Sequence, residues 1–268
     1  MSEGVESTIE LKVAIPHGPP EELFGLSSSG ISPEGAFGSM ALGPWAREAD
    51  GRFAMGAMGV LVDNVLALAV LAHRPKDMWA VTTELAFDFF ATPAPEGRLT
   101  ASGRALTSDA GGGGSTGHVV DDDGTVVATA TFWGRYIEGV PQAIIDQRRA
   151  PSLDSRAGSI GELLGLSGDR DRRVLPERVD TVNPLGVIHG GVLVPAFERA
   201  AVDGGARPDG MSTASIRVSY LRPASGDIHF SVKQLHRGRT FASAEVTASR
   251  CDGKASAWAL LTFRSPER

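Results

Sequence analysis

The order of apolar and polar positions divides the chain into two runs of similar design. Gly56 to His73 is apolar on nearly every side, which predicts a buried helix stopped by Pro75. Alternating patterns follow at Ala80–Phe90, Arg98–Thr107, Ser115–Val120 and Val126–Tyr136, and predict antiparallel strands with a hairpin turn at Asp121-Asp122-Asp123-Gly124. Phe37–Leu42 predicts a strand ahead of the helix, closed by Gly43-Pro44. The succession then returns. A helix is expected from Gly190 to about Val202, followed by strands at Ala214–Leu221, Ile228–Leu235, Ala242–Arg250 and Ala255–Phe263, with a turn at Asp252-Gly253. Strands curved around one central helix would bury that helix on most sides, which accounts for the apolar character of both.

The remaining segments are less regular. Val5–Ile15 alternates until Pro16, Pro19 and Pro20 interrupt it, and Ser27-Ser28-Ser29-Gly30 reads as a loop. Residues 138–177 form a connection with Pro141, Gln147-Arg148-Arg149 and Pro151, and with a short helix over Ile160–Leu166. Arg170, Arg172 and Arg173 read as a solvated part of it. The expected organisation is a first domain over 1–137, this linker, and a second domain over 178–268.

The recurrence extends to single residues. Asn183-Pro184-Leu185-Gly186-Val187-Ile188-His189-Gly190-Gly191, with Glu198 beyond it, returns in degraded form 135 residues earlier as Ala54-Met55-Gly56, with Asp63-Asn64 beyond. Aligning Gly191 on Gly56 sets Glu198 on Asp63, His189 on Ala54 and Asn183 on Glu48. Downstream, Thr83 falls on Thr213, Phe90 on Tyr220, Pro93 on Pro223, Gly97 on Gly226, Leu106 on Leu235 and Gly124 on Gly253. So long a period marks a duplicated domain rather than an array of small repeats. One copy keeps the histidine and asparagine and the other the aspartate, so a complete site is expected only where the halves face each other.

Composition narrows the function classes. The 268 residues are 42% hydrophobic and 22% charged, ordinary for a globular protein. Cys251 stands alone, which excludes an internal disulfide framework and fits a reducing, cytoplasmic compartment. The acidic start Met1-Ser2-Glu3 lacks the apolar run of a signal peptide, and the longest apolar run, Val65–Ala72, is too short to span a bilayer. A net charge of −6 argues against a nucleic-acid partner. Residues 1–137 carry 8 Lys and Arg against 17 Asp and Glu, whereas residues 138–268 carry 18 against 15, so the second half suits an anionic ligand better. The six histidines have no metal-ligand spacing, and no Gly-x-Ser-x-Gly elbow supports a serine hydrolase. Gly111–Gly114 is not followed by Lys-Ser/Thr, so it reads as a flexible hairpin loop rather than a phosphate cradle.

Asn183, His189-Gly190-Gly191 and Glu198, followed by Thr213 and Tyr220-Leu221-Arg222-Pro223, resemble the motif of hotdog-fold acyl-CoA thioesterases of the PaaI-like type. Leu61-Val62-Asp63-Asn64 resembles the same family's helix segment, and the likeness covers roughly residues 45–137 and 178–265. It implies an α+β tandem, or double, hotdog: two antiparallel sheets, each wrapped around a central helix, packed as an intramolecular pseudo-dimer with its site at the interface. Carried over, the catalytic set is Asp63 and Thr83 from one half with Asn183, His189 and Gly190 from the other, and Gly191 beside the substrate. The opposite combination, Glu48, Ala54 and Met55 with Glu198 and Thr213, lacks the histidine and asparagine and is expected to be vestigial. The implied substrate is an acyl-CoA, hydrolysed to free acid and coenzyme A. Coenzyme A is then part of the substrate, no cofactor or metal is needed, and association into a homo-oligomer is allowed but not required.

The chemistry fits these residue types. The N–H of Gly190, at a helix start, suits a developing oxyanion. Asp63 would polarise a water or attack the carbonyl, and a carboxylate inside so apolar a helix calls for a reason, functional or a buried structural hydrogen bond. Thr83 would hold the water or serve simply as a strand residue. His189 would orient its loop or assist the carbonyl. Asn183 would fix the water or form the turn before Pro184. Arg237 and Arg239, in a predicted hairpin, are expected to meet coenzyme A phosphates. Two alternatives stand beside this reading. A non-catalytic acyl-CoA-binding module would keep the pocket alone, since fold does not fix function. An enoyl-CoA hydratase-like hotdog favours an aspartate five residues before its histidine, whereas His189 lies nine after Asp180.

Overall fold

The computed structural model describes residues 17–32, 34–94, 96–141, 157–169 and 172–265; Val5–Ile15, Gln147-Arg148-Arg149, Pro151 and Arg170 lie outside them. The first half runs α1 (Pro19–Leu23), β1 (Leu26–Ser32), β2 (Gly35–Leu42), a 3-10 turn (Met55–Met58) leading into α2 (Gly59–Leu71), then β3 (Met78–Phe89), β4 (Gly97–Ser108), β5 (Gly112–Val120) and β6 (Val126–Glu138). The connection holds α3 (Ile160–Leu164) and β7 (Arg173–Leu175). The second half runs α4 (Gly190–Asp203), β8 (Ser212–Tyr220), β9 (Ile228–Arg237), β10 (Phe241–Arg250) and β11 (Ala255–Arg264). No described helix is long and apolar enough to cross a membrane.

Every strand pairing is antiparallel, and together they make one eleven-stranded sheet in the order β1-β2-β4-β5-β6-β3-β8-β11-β10-β9-β7. The two separate sheets expected from the sequence are therefore joined. β3 meets β8 from Glu84↔Ser219 to Asp88↔Ser215, with Ala86↔Arg217 at the centre. Arg217 fixes the seam by donating to both carboxylate oxygens of Asp88, at 2.6 and 2.8 Å. On either side of it the order is mirrored, β4-β5-β6-β3 against β8-β11-β10-β9.

α2 is buried at every position except Asn64 and Ala67. It lies so close to the sheet that the strands beneath it use glycine. A Cβ on Gly103 would come 2.5 Å from Leu66, and one on Gly113 would come 2.9 Å from Val70. Gly112 to Gly114 therefore belong to β5 rather than to a flexible loop. The turn is the segment before them, where Asp109 Oδ1 accepts from the N–H groups of Gly111 and Gly112.

Three other expectations are corrected. Ser27 to Gly30 lie in β1, a polar edge strand whose Ser27 and Ser28 hydroxyls meet Ser39 Oγ at 2.9 and 2.8 Å. Pro19 and Pro20, read only as interrupting a strand pattern, open a helix, because the first helical N–H groups have no intrahelical acceptor to lose. Arg173 is a partly buried strand residue, paired with Asp203 at 2.8 Å, not a solvated linker charge.

Candidate active site

The chain reaches α2 and α4 by the same route. His189 N–H donates to Thr181 O at 2.9 Å, as Ala54 N–H does to Ala46 O at 2.9 Å; Asn183 N–H donates to Val187 O at 2.8 Å, as Glu48 N–H does to Arg52 O at 2.7 Å. Each pair of bonds is related by the 135-residue shift read from the sequence. The two helices then cross through glycine. A Cβ on Gly59 would lie 2.4 Å from the Gly191 carbonyl, and one on Gly191 would lie 2.6 Å from the Gly59 carbonyl. This crossing aims a carboxylate of each helix at the N-terminus of the other. Gly191 N–H donates to Asp63 Oδ2 at 2.8 Å, and Gly56 N–H donates to Glu198 Oε2 at 2.7 Å.

Around Asp63 the cage is completed by the Thr82 hydroxyl, which donates to Oδ1 at 2.8 Å, and by His189, whose Nδ1 lies 3.3 Å from Oδ2. His189 is the N-cap of α4, its Nδ1 3.0 Å from the Gly191 nitrogen, in the place usually taken by a short oxygen-bearing side chain. Asp63 is 3% exposed and His189 9%. The N–H of Gly190, first in the helix, has no intrahelical acceptor and carries the positive end of the dipole. A side chain there would displace the Asp63 carboxylate, since a Cβ would come 2.9 Å from Asp63 Oδ2. Tyr220 fixes the same residue by donating to the Gly190 carbonyl at 2.8 Å.

Burial pushes the Asp63 carboxyl above its ordinary range, against the His189 charge and the Thr82 and Gly191 hydrogen bonds. For His189, burial works downward, but the hydrogen bond to Glu21 and the charges of Asp63 and Glu21 outweigh it and hold the imidazole above its usual value. Burial, then the charge of Asp63, keeps the Tyr220 hydroxyl well above its own. The site thus favours a charged ring beside a carboxylate that is poised to take up a proton.

The expected residues are only partly brought together. Asp63, His189, Gly190 and Gly191 meet, and the Gly191 N–H serves the Asp63 carboxylate. Thr83 does not join them. It is the extra residue of a bulge in β3, and its hydroxyl donates to Trp133 O at 3.0 Å, leaving Thr82 to reach Asp63. The Asn183 side chain closes its own turn, accepting from the N–H groups of Leu185 and Val187 at 2.9 and 3.4 Å. Arg237 donates to Gly205 O just past the C-terminal end of α4, and Arg239 follows on the same hairpin. The site is at the other end of this 14-residue helix, about 21 Å away at 1.5 Å per residue. Thr82, Tyr220 and Glu21 were not anticipated as site residues. Thr82 lies beside the expected threonine and Tyr220 within the family-like motif, but Glu21 lies ahead of the matched stretches.

The mirrored cage holds Glu198, bonded by the Thr213 hydroxyl as well as by Gly56. In place of the histidine stands Ala54. In place of Asn183 stands Glu48, bound through both oxygens by the buried Arg207, with one contact at 2.6 Å. Burial and the nearby Glu48 push the Glu198 carboxyl up to about 7. A groove of about 310 Å³ over β3, β6 and β8, bordered by Trp133 and Arg217, contains none of the groups of either cage.

Comparison with protein families matches both halves. Residues 27–131 match the acyl-CoA thioesterase C-terminal domain and residues 178–264 the acyl-CoA thioesterase N-terminal domain. The chain belongs to the tandem hotdog acyl-CoA thioesterases. It is a thioester hydrolase, and the domain descriptions run in reverse order along it, the Asp63 half matching the C-terminal domain. Solved structures share the fold at low identity. The acyl-CoA thioesterase II TesB2 of Mycobacterium marinum aligns with a TM-score of 0.57 and 9% identity over 92% of this chain and 98% of its own. The 12:0-ACP thioesterase of Umbellularia californica aligns at 0.59 and 10% over 86% and 94%. A hot dog fold protein of unknown function from Alicyclobacillus acidocaldarius aligns at 0.57 and 10% over 92% and 98%. No curated protein sequence matches.

Proposed function

We propose that the chain hydrolyses an acyl-CoA at one composite site between its halves, with Asp63 as general base and the Gly190 N–H as oxyanion donor. One observation carries this reading. The carboxylate of one half and the histidine-capped helix start of the other converge, Asp63 Oδ2 lying 2.8 Å from the Gly191 nitrogen and 3.3 Å from His189 Nδ1. The thioester carbonyl is placed over the Gly190 N–H. Asp63 takes a proton from a water whose oxygen bonds to the carbonyl carbon. The tetrahedral oxyanion collapses, the C–S bond breaks, and the proton held by Asp63 passes to the departing thiolate, leaving free acid and coenzyme A. Charged His189 holds Asp63 ionised between turnovers.

On this reading the halves act as an intramolecular pair, with domains at 1–137 and 178–268 about the linker, and the Glu198 cage does no chemistry. No cofactor takes part, and the compartment we assign is the cytoplasm. The test is free-thiol release from short-chain, long-chain and aryl acyl-CoAs by the native protein and by Asp63→Asn. Release by the native protein and its loss in the variant is the expected result; undiminished release by Asp63→Asn overturns the assignment.

A further inference from the structure

The His189 ring lies between two carboxylates, and only one of them lies within the family matches. Its Nδ1 edge faces Asp63 of α2, and its Nε2 lies 3.5 Å from Oε1 of Glu21 on α1. Glu21 is 7% exposed, so this second carboxylate too has been removed from water. It is anchored from two other sides. Gly18 N–H donates to Oε2 at 3.0 Å, and the Asn64 amide, next to Asp63 on α2, donates to Oε1 at 3.4 Å. The family matches begin at residues 27 and 178, so α1 lies outside both.

The α1 cap does not explain the charge. Glutamine at the same helix position closes an equivalent cap, and burying a carboxylate is unfavourable unless a partner compensates it. The charged partner nearest its Oε1 is the His189 imidazole, with His17 a weaker influence. We propose that Glu21 is a positioning residue for His189: α1, a segment outside both family matches, supplies the carboxylate that holds the ring against Asp63 and the start of α4. With Nε2–H directed at Glu21, the neutral ring presents Nδ1 as acceptor to the Gly191 N–H, and the charged ring presents Nδ1–H to Asp63. Both protonation states keep the ring in place. The titratable groups facing it are Glu21 of α1 and Asp63 of α2, and Tyr220 of β8 reaches only the adjoining Gly190 carbonyl. Glu21 is held below the ordinary carboxylate range because its hydrogen bond and attraction to His189 overcome its burial.

This inference rests on the proposal that His189 serves the Asp63 site, and its test is readable without substrate. The imidazole NMR signal of His189, assigned with a His189→Gln control, is titrated in the full-length protein and in Glu21→Gln. The midpoint is expected to fall by about one pH unit on loss of the neighbouring charge. In steady state, kcat for acyl-CoA is expected to fall about tenfold with KM within about twofold, as loss of orientation rather than of binding requires. Glu21→Asp, which keeps the charge but draws it back, is expected to give a smaller shift in the same direction, and it replaces the glutamine variant should that one not fold. An unmoved midpoint, or a change confined to KM, overturns the positioning role. A shifted midpoint in a protein that hydrolyses no acyl-CoA sinks the hydrolytic reading while upholding this one.

Discussion

Asp63 and Glu198 occupy the same cage in opposite surroundings. Each accepts an N–H from the first turn of the helix it crosses and a hydroxyl from a threonine on a strand of its own half. Beyond that shell the two diverge. Asp63 looks out on His189 and, through it, Glu21, whereas Glu198 looks out on Glu48 and Arg207. The duplication supplies the cage twice, because it follows from helices crossing at glycine. On the proposed reading the chemistry depends on what stands outside the cage, and there the halves differ. Once Ala54 stood in place of a histidine, no imidazole faced Glu198. The buried space beside it holds a Glu48–Arg207 ion pair instead.

Neutralising each carboxylate in turn is the most severe trial of this contrast. Asp63→Asn is expected to reduce kcat by about 10³-fold, in the range general-base catalysis supplies. Glu198→Gln, which keeps the length and an acceptor for the Gly56 N–H, is expected to retain activity within about twofold. Thiol-release rates with one acyl-CoA compare the two directly, and equal losses would mean that both cages turn over.

Arg207→Ala probes the other member of the comparison through stability. Its guanidinium is buried against both oxygens of Glu48. Removing it strips the buried Glu48 carboxylate of its ion-pair partner, at a cost of about 3–5 kcal/mol. Urea unfolding at neutral pH should show a midpoint shift of that size. A shift of a few tenths would place the pair among weak surface ion pairs.

The next largest effect separates neighbouring threonines, where the two halves fall out of register in the sequence. The shift of 135 residues held throughout the loops that enter both helices, since those loops have equal length. In the sheet, Leu106 and Leu235 were also matched correctly, and each is the bulged residue of its strand. The match slips by one in β3 and β8 because it is anchored on Pro93 and Pro223, which lie in the β3–β4 and β8–β9 connections rather than in the strands. Pairing fixes the true correspondence: Thr82 and Thr213 occupy like places beside a bulge, opposite Gly134 and Phe263. Glu21 was out of reach for another reason. It touches the site across the fold from α1, ahead of the matched motif, and the like segment of the second half, α3, carries Gly161 in its place. Thr82→Ala removes a hydrogen bond to a buried carboxylate, worth about 1.5–3 kcal/mol, and is expected to lower kcat/KM about 10- to 100-fold. Thr83→Ala is expected to stay within about twofold, since its hydroxyl serves only the Trp133 carbonyl. The reverse ranking would restore the sequence-based match.

The smallest effect is read from pH. An unfolded glutamate titrates near 4.5, while folded Glu198 titrates at about 7 because burial and Glu48 disfavour its charge. Between these values the folded protein keeps a proton that the unfolded chain has released. Stability therefore falls as pH rises through this window and levels off above it. Glu198→Gln carries no such proton, so its stability relative to the native protein should improve as pH rises from about 5 to about 8, by on the order of 1–3 kcal/mol. Groups remote from Glu198, such as Asp63, His189 and Glu21, cancel in the difference, which makes urea titrations of the pair a reading of Glu198 together with its neighbour Glu48. A difference that stays flat across the window would show Glu198 to be as comfortable in its cage as an exposed glutamate, and the divergence of the two cages would then lie in the histidine alone.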